Sequence, residues 1–578
     1  MCWIYAPIIA FFSVVFFAHL YLDRRPRSKE VDRRGPGLWD KTVALLRSFT
    51  YRRLPGKIGV FLGLPSAGVL FLIMIAAVAS IAMTFTESPY YREKRGYGSP
   101  PIAVRTGLMS TSLIPLLIAL SGKVNLITMI TGYGHEKLNV FHRAIGWLMF
   151  ILSVVHTIPF IYCQLHEFGY PGLKRQFYKP GAMEYTGVPP LAVGFFLSVF
   201  SIPWVRCLAY ELFAYTHIAA AIAFLGTCFW HFGNEGDSWN YLWATMAIWL
   251  VNWLGRMFWK SSAFKITDPW FRGCPTTLRS LGGNMVRMDV LVPRNWTWRP
   301  GQHVFLRFPS IGIMENHPFT ISSIPSMEAT DRITEKPVST RDDVNVLSFL
   351  VRPQLGFTKR LLKKVMSTPD MQASAVVDGP YGTVLRKLEN AYEDVILVAG
   401  GGGISAILPR ALHLANCMSV ETLNRVTQRV RVVWMVKHAD AVRWALDDLA
   451  HAAHVAPSGA VSVEIFVTEE AADDSGVTKS VPTIDQMPSK EIATAGTVTP
   501  RDSDSDHVVS HALVKHFEGR PYLPTLIPSM LGGSRTAIIG CGPESLKIDL
   551  SNASAAAQRK VLNGDVVEVM LHTETFDW

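Results

Sequence analysis

Four histidines carry the first chemical signal in this sequence. His142 and His156 stand 14 residues apart in one apolar stretch, and His217 and His231 repeat that interval in another. At about 100° and 1.5 Å per residue, 14 positions bring a helical side chain back to within about 40° of the same face, about 21 Å along the axis. Each helix would therefore present two imidazoles on one face. One out-and-in excursion of the chain separates the helix starts, so the helices run parallel, with His142 level with His217 and His156 level with His231. Facing each other, they make two stacked bis-imidazole sites. Imidazole nitrogen is an axial ligand of haem iron, so the pattern predicts two b-type haems. A single intramembrane histidine more often bonds a carbonyl or a polar neighbour; His19 and His135, outside the 14-residue pattern, are read that way.

The elements that must position these residues are membrane spans. The chain has 578 residues, 49% hydrophobic and only 18% charged, which excludes intrinsic disorder and a collagen-like repeat. Seven apolar stretches approach the roughly 20 residues that cross a bilayer: Trp3–Leu22, Ile58–Thr84, Thr106–Gly122, Ala144–Ile161, Tyr185–Val205, Leu212–His231 and Trp239–Leu254. The seven cysteines are scattered without a C-x-x-C pair, so neither a zinc site nor a disulfide framework is expected.

The net charge of +10 raises the question of nucleic acid, and its location answers it. The segment Asp23–Lys57 carries 11 Lys and Arg against four acids. That is a positive-inside signal and makes the segment cytoplasmic, with the N-terminus outside and the long C-terminal half inside. No nucleic-acid partner is needed. The sequons at Asn295 and Asn552 fall in that inner half and should stay unglycosylated. The first span lacks a basic residue before it, which favours a retained anchor over a cleaved signal peptide.

Beyond about Phe258 the pattern changes to strand-like runs, and from about Asp394 strands alternate with helices. The strand Asp394–Ala399 leads into Gly400-Gly401-Gly402-Gly403-Ile404-Ser405 at a helix start, an arrangement in which backbone N–H groups receive a pyrophosphate. The next strand ends at Lys437, where a base suits the 2′-phosphate of NADPH. The string His317-Pro318-Phe319-Thr320-Ile321-Ser322-Ser323 offers hydroxyl and backbone donors, by itself a modest signal. Cys541, before Gly542-Pro543, reads on its own as a buried structural cysteine. Residues 471–510 are rich in Asp, Ser, Thr, Pro and Gly, and read as a disordered insert.

With these motifs in chain order, the sequence resembles the fungal metalloreductase (ferric reductase) family, which is related to NADPH oxidases. The equal His intervals favour the reductases. The resemblance implies a multi-pass α-helical membrane bundle followed by a ferredoxin-reductase-like module, an antiparallel β-barrel FAD domain plus an α/β Rossmann-like NADP domain. Boundaries are expected at 1–57 (anchor and basic loop), 58–258 (haem-binding transmembrane domain), 259–388 (FAD barrel) and 389–578 (NADPH domain). It also implies that His317, Pro318, Phe319, Thr320, Ser322 and Ser323 lie along FAD. Gly379, Pro380, Tyr381 and Gly382 resemble the turn near its pyrophosphate. Cys541-Gly542-Pro543 would lie near the nicotinamide, and Phe576, with Trp578 as the alternative, would stack on the flavin.

The expected function is a transmembrane electron conduit from cytosolic NADPH through FAD and two haems to Fe(III) chelates or Cu(II) outside. It would support iron uptake beside a ferrous-iron uptake partner. The plasma membrane is the expected site, with a vacuolar or other endomembrane as the alternative. One rival is a superoxide-generating NADPH oxidase, separable by comparing superoxide with Fe(II) output. A second, of another class, is a non-catalytic channel or scaffold with vestigial nucleotide motifs, which a haem spectrum with bound FAD would dismiss.

Overall fold

The computed structural model describes residues 2–22, 35–91, 98–208, 210–260, 273–294, 296–312, 315–325, 344–354, 356–368, 370–383, 386–420, 425–469 and 514–574. The expected insert at 471–510 and the aromatics Phe576 and Trp578 lie outside the described residues. The chain divides into two compact units. One comprises Met1–Ala18 and Leu70–Trp259, the other His19–Val69 and Lys260–Trp578.

The first eleven helices are α1 (Cys2–Leu22), α2 (Leu38–Thr50), α3 (Gly56–Leu62), α4 (Ala67–Phe85), α5 (Pro101–Ser121), α6 (Leu126–Thr131), α7 (His135–Tyr178), α8 (Met183–Val199), α9 (Pro203–Leu208), α10 (Tyr210–Phe232) and α11 (Trp239–Gly255). Among the described residues, α4, α5, α7 and α10 are long and apolar enough to cross a membrane; α8 and α11 have 17 residues each.

Two expectations need correction here. The stretch Ile58–Thr84 is not one span. Gly63 takes a left-handed φ of 55°, its N–H closes on Gly59 O, and Pro65 follows, so α3 stops and α4 starts afresh at Ala67. The stretch Ala144–Ile161 does not mark the helix end: residues 163–178 are also helical and continue α7 to Tyr178 across a kink at Gly169. Apolar content marks membrane-compatible chain, but it does not register a glycine stop or a polar helical extension.

The other unit holds two sheets. Its elements are β1 (Cys274–Gly282), β2 (Met285–Pro293), β3 (His303–Arg307), β4 (His317–Thr320), β5 (Val344–Val351), α12 (Phe357–Ser367), β6 (Met371–Tyr381), α13 (Leu388–Ala391), β7 (Asp394–Gly400), α14 (Ile404–Ser419), β8 (Arg429–Val436), α15 (Leu446–Val455), β9 (Val461–Val467), β10 (Val514–Glu518), α16 (Leu523–Met530), β11 (Arg535–Cys541), α17 (Glu544–Asn563) and β12 (Glu568–Glu574). Strands β1–β6 form an antiparallel sheet in the order β4-β3-β6-β1-β2-β5, around a core that includes Met288, Leu306, Phe308 and Phe349.

Strands β7–β12 form a parallel sheet in the order β10-β9-β8-β7-β11-β12. Every residue of β7 is buried, as expected of a strand covered on both faces. The chain winds outward from β7 to β10, then returns to β11 on the other side. The order therefore reverses between β7 and β11, and the crevice beyond their carboxyl ends is where such sheets bind ligands.

The basic segment is also not only a loop, and the contacts do not divide at Lys57. Helix α2 packs on α17 and β12. Arg47 bonds Glu568 at 3.0 Å and Val569 O at 3.2 Å, while Arg535 reaches the other Glu568 oxygen at 2.8 Å. Arg53 pairs with Glu544, and its backbone exchanges two hydrogen bonds with the Asn552 amide. These partners lie about 500 residues further along the chain, so hydropathy and charge counting could not pair them.

Burial disfavours the Glu568 carboxylate, but Arg47 and Arg535 outweigh it and hold its pKa below the usual carboxylate range. A depressed folded pKa gives stability that is complete above the unfolded value, about 4.3, and lost as pH falls through the folded value. Glu568→Gln should destabilise the unit at pH 7 by about 3 kcal/mol, because it leaves two arginines without their carboxylate. Melting curves of wild type and E568Q should converge in acid. A gap that persists unchanged below pH 4 would show that the ion pairs contribute nothing there.

Candidate functional site

In the helical unit, α7 and α10 bring the predicted histidines together in the predicted pairs. The His142 and His217 ring centroids are 6.5 Å apart, and those of His156 and His231 are 6.2 Å apart. The helices are therefore parallel and in register.

The outer atoms of the rings are anchored. His142 Nδ1 donates to Leu117 O at 2.9 Å, and His156 Nδ1 donates to Ala103 O at 2.8 Å, both on α5. His217 Nδ1 lies 3.2 Å from Ser201 Oγ, and His231 Nδ1 lies 3.2 Å from Thr186 Oγ1. Those hydroxyls already donate to Leu197 O and Met183 O, so each oxygen is left to accept the imidazole N–H. All four rings are thereby fixed with the proton on Nδ1 and the lone pair on Nε2.

This donor set fits haem. Metal–imidazole bonds of about 2.0 Å, with roughly 1.1 Å from nitrogen to ring centre, separate two ligating rings by about 6.2 Å. Glycines make room for the upper pair. A Cβ on Gly107 would stand 2.7 Å from His156 Nδ1, and one on Gly187 would stand 3.0 Å from the His231 ring. A cavity lined by His156, His231, Gly107 and Gly187 opens beside this pair.

In the other unit, the glycine turn after β7 and the turn after β11 meet at the sheet's reversal point. A Cβ on Gly403 would fall 2.3 Å from Cys541 O, and one on Gly542 would fall 3.1 Å from Gly400 Cα. Backbone lies against backbone, which only glycine permits. Trp434 Nε1 donates to Gly401 O at 3.0 Å and Ser405 Oγ donates to Gly402 O, pinning the turn from below. Cys541 itself is fully buried, so Gly542 and Pro543 form the turn while the thiol packs in the core. Lys437 is exposed at the end of β8 and pairs with Glu469 at 2.9 Å.

Around β4, His317 stacks on Phe357 at 4.7 Å. Phe319 and Thr320 are buried. The hydroxyls of Ser322 and Ser323 donate to Ser348 O and Val346 O, so they fasten the strand end to β5. The expected turn at Asp378–Gly382 is instead the end of β6, paired with β3; Gly379 and Gly382 have φ of 149° and 132°, and Tyr381 donates to Asp378 at 2.5 Å. Pro380 lies between them.

Two residues of this site escape sequence reading. Arg352, just past β5, sits over the glycine turn, with Nη1 at 3.6 Å from a Cβ placed on Gly401. Buried Arg410 of α14 binds Glu574 at 2.5 Å and packs against Gly301. Glu574 is the register partner of Cys541, so β12 ends beside the Gly542 turn. Neither arginine belongs to a motif; each matters through a contact distant in sequence.

An antiparallel flavin-type sheet, a parallel nucleotide-binding sheet and a membrane-compatible helical unit together define a membrane flavoprotein oxidoreductase. Family comparisons place each part. A ferric reductase like transmembrane component matches residues 106–228, an FAD-binding domain 272–385, and a ferric reductase NAD binding domain 392–555. A probable cell surface ferric reductase, kap2, of Aspergillus oryzae is 34% identical over 435 residues, covering 74% of this chain and 56% of that protein. The ferric/cupric reductase transmembrane component 7 of Saccharomyces cerevisiae is 29% identical over 558 residues, covering 93% and 85%. The chain belongs to the fungal ferric reductase family and is an NAD(P)H-dependent oxidoreductase of the membrane.

Arg352 lies beside the glycine turn, the element expected to receive a dinucleotide pyrophosphate. Arg352→Ala should raise KM about tenfold for both NADPH and NADH and leave kcat nearly unchanged, because one charge-assisted contact is lost. Steady-state dye reduction by the solubilised protein checks this, and an unchanged KM for both would remove Arg352 from the site.

Proposed function

We propose that the chain moves electrons across a membrane, from NADPH on the side of its reductase unit to ferric chelates or cupric ion on the other. The observation that carries this reading is the pair of stacked imidazole couples, 6.5 and 6.2 Å across, in a chain whose other unit has FAD- and NAD-binding domains. His142 and His217 would hold the inner b-type haem, and His156 and His231 the outer one. Bound FAD takes two electrons and passes them on singly, and bound haem carries one at a time.

The chain's own groups bind and orient. Gly400–Ser405, Gly542 and Pro543 receive the dinucleotide by backbone approach. Lys437 supplies a cation for the 2′-phosphate, and β4 with the Asp378–Gly382 segment at the end of β6 cradles the flavin. Phe576, two positions beyond Glu574, would stack on the flavin as the family resemblance implies. Cys541 acts from the core, setting the turn before Gly542. Docking of the basic segment on α17 supports an orientation in which both lie in the cytosol with the N-terminus outside. The cell surface name of the Aspergillus relative supports the plasma membrane. Its names and those of the yeast relative support ferric and cupric acceptors. Ferrous product released outside then calls for a ferrous-iron uptake partner.

His156→Ala should abolish ferric reduction on the far side of a vesicle while leaving NADPH-driven reduction of a soluble dye on the near side. Full ferric reduction by H156A would sink the assignment. Lys437→Glu should raise KM about tenfold for NADPH alone, since NADH lacks the 2′-phosphate. Equal shifts for both nucleotides would show that Lys437 does not read that group.

A further inference from the structure

We propose that α2 is an interfacial helix with two partners: its polar face is bound to the nucleotide domain, and its apolar face lies in the headgroup layer of the membrane. The helix is two-sided. Asp40, Ala44, Arg47 and the following Tyr51 fall within an arc of about 60° at 100° per residue. Ala44 is buried, Arg47 holds Glu568, and the Tyr51 hydroxyl accepts from Leu571 N at 3.3 Å. On the opposite side stand Leu38, Trp39, Leu45, Leu46 and Phe49, and all are exposed; Leu38 is 85% exposed and Trp39 76%.

Three observations select a lipid surface as the occupant of that face. The helix is tethered on both sides, since 16 positions separate Leu22 of apolar α1 from Leu38 and 17 separate Thr50 from Ala67 of membrane-crossing α4. At no more than about 3.6 Å per residue, these connections keep α2 within about 60 Å of the ends of both helices. The segment around it, Asp23–Lys57, has 11 basic residues against four acidic ones, complementary to anionic headgroups. An amphipathic helix with Leu, Trp and Phe on one face is the composition that inserts at a headgroup boundary. With its other face fixed by Arg47, Arg53 and Asn552, α2 then holds the nucleotide domain at the membrane surface. The proposal requires only that α4 crosses a bilayer, and it stands apart from the haem assignment.

The test uses the full chain in nanodiscs containing phosphatidylserine, with a photoreactive p-benzoylphenylalanine replacing Leu46 or, separately, Phe49. The same substitution at Met366, exposed on α12, is the control. Mass spectrometry of the illuminated protein should show lipid adducts at both α2 positions about tenfold above the control. Crosslinks from those positions to another part of this chain or to a second copy would overturn the proposal, as would lipid adducts no more frequent than at Met366. Near-side dye reduction by NADPH, measured on the same samples, reports an intact reductase unit whichever result is obtained.

Discussion

The hydrogen bond at the back of each imidazole is the constraint on which the helical unit depends. A carbonyl oxygen can only accept, so Leu117 O and Ala103 O force the proton of their histidines onto Nδ1. On α10 the same result comes from hydroxyls whose own protons are already committed to Leu197 O and Met183 O. The consequence is four Nε2 lone pairs that need an electrophile, in pairs whose spacing suits one metal ion each. Pairs joined through ring protons alone would fix neither the tautomer nor the ring angle. The acceptors also explain the neighbouring sequence. α5 must lie close enough to α7 for its carbonyls to reach the rings, and Gly107 makes that approach possible.

Crowding has the same logic in the nucleotide sheet. The turns after β7 and β11 touch through Gly400, Gly403, Gly542 and the Cys541 carbonyl. This leaves backbone amides at the sheet's reversal point, beside the Arg352 side chain. Cys541 is buried because its strand continues into the core, and the register that pairs it with Glu574 sets where β12 ends. Arg410 of α14 then fixes the end of β12 by binding Glu574, beside Gly301 in the turn before β3.

What could be read in the sequence was periodic or contiguous. The 14-residue intervals needed only helix geometry, and both pairs stand where that geometry puts them. The strand–glycine–helix order at Asp394–Ser405 was likewise local, and the structure keeps it. The motif at Ser322 and Ser323 was legible as hydroxyl-bearing but not as self-satisfied, because its acceptors sit on β5 more than 20 residues later. Arg352 and Arg410 had no local signature at all. The break at Gly63 was missed for the opposite reason: its apolar surroundings outweighed a glycine and a proline that stop a helix in any solvent.

The docking of α2 shows best how sequence distance hides structure. Arg47 and Glu568 are 521 residues apart, and both are largely buried with Arg535 as a third member. Buried ion pairs recover little net stability, since each charge loses its water before it gains its partner. A well-packed apolar contact would hold α2 at least as firmly. It would not, however, choose the face of α2 so strictly. Arg47 can meet Glu568 only with Ala44 turned inward, and that rotation alone sends Leu38, Trp39, Leu46 and Phe49 outward. A greasy docking face would leave a helix apolar all round, free to roll between protein and lipid. The charged triad is therefore best understood as fixing the rotation of the helix, and its contribution is specificity of orientation more than strength.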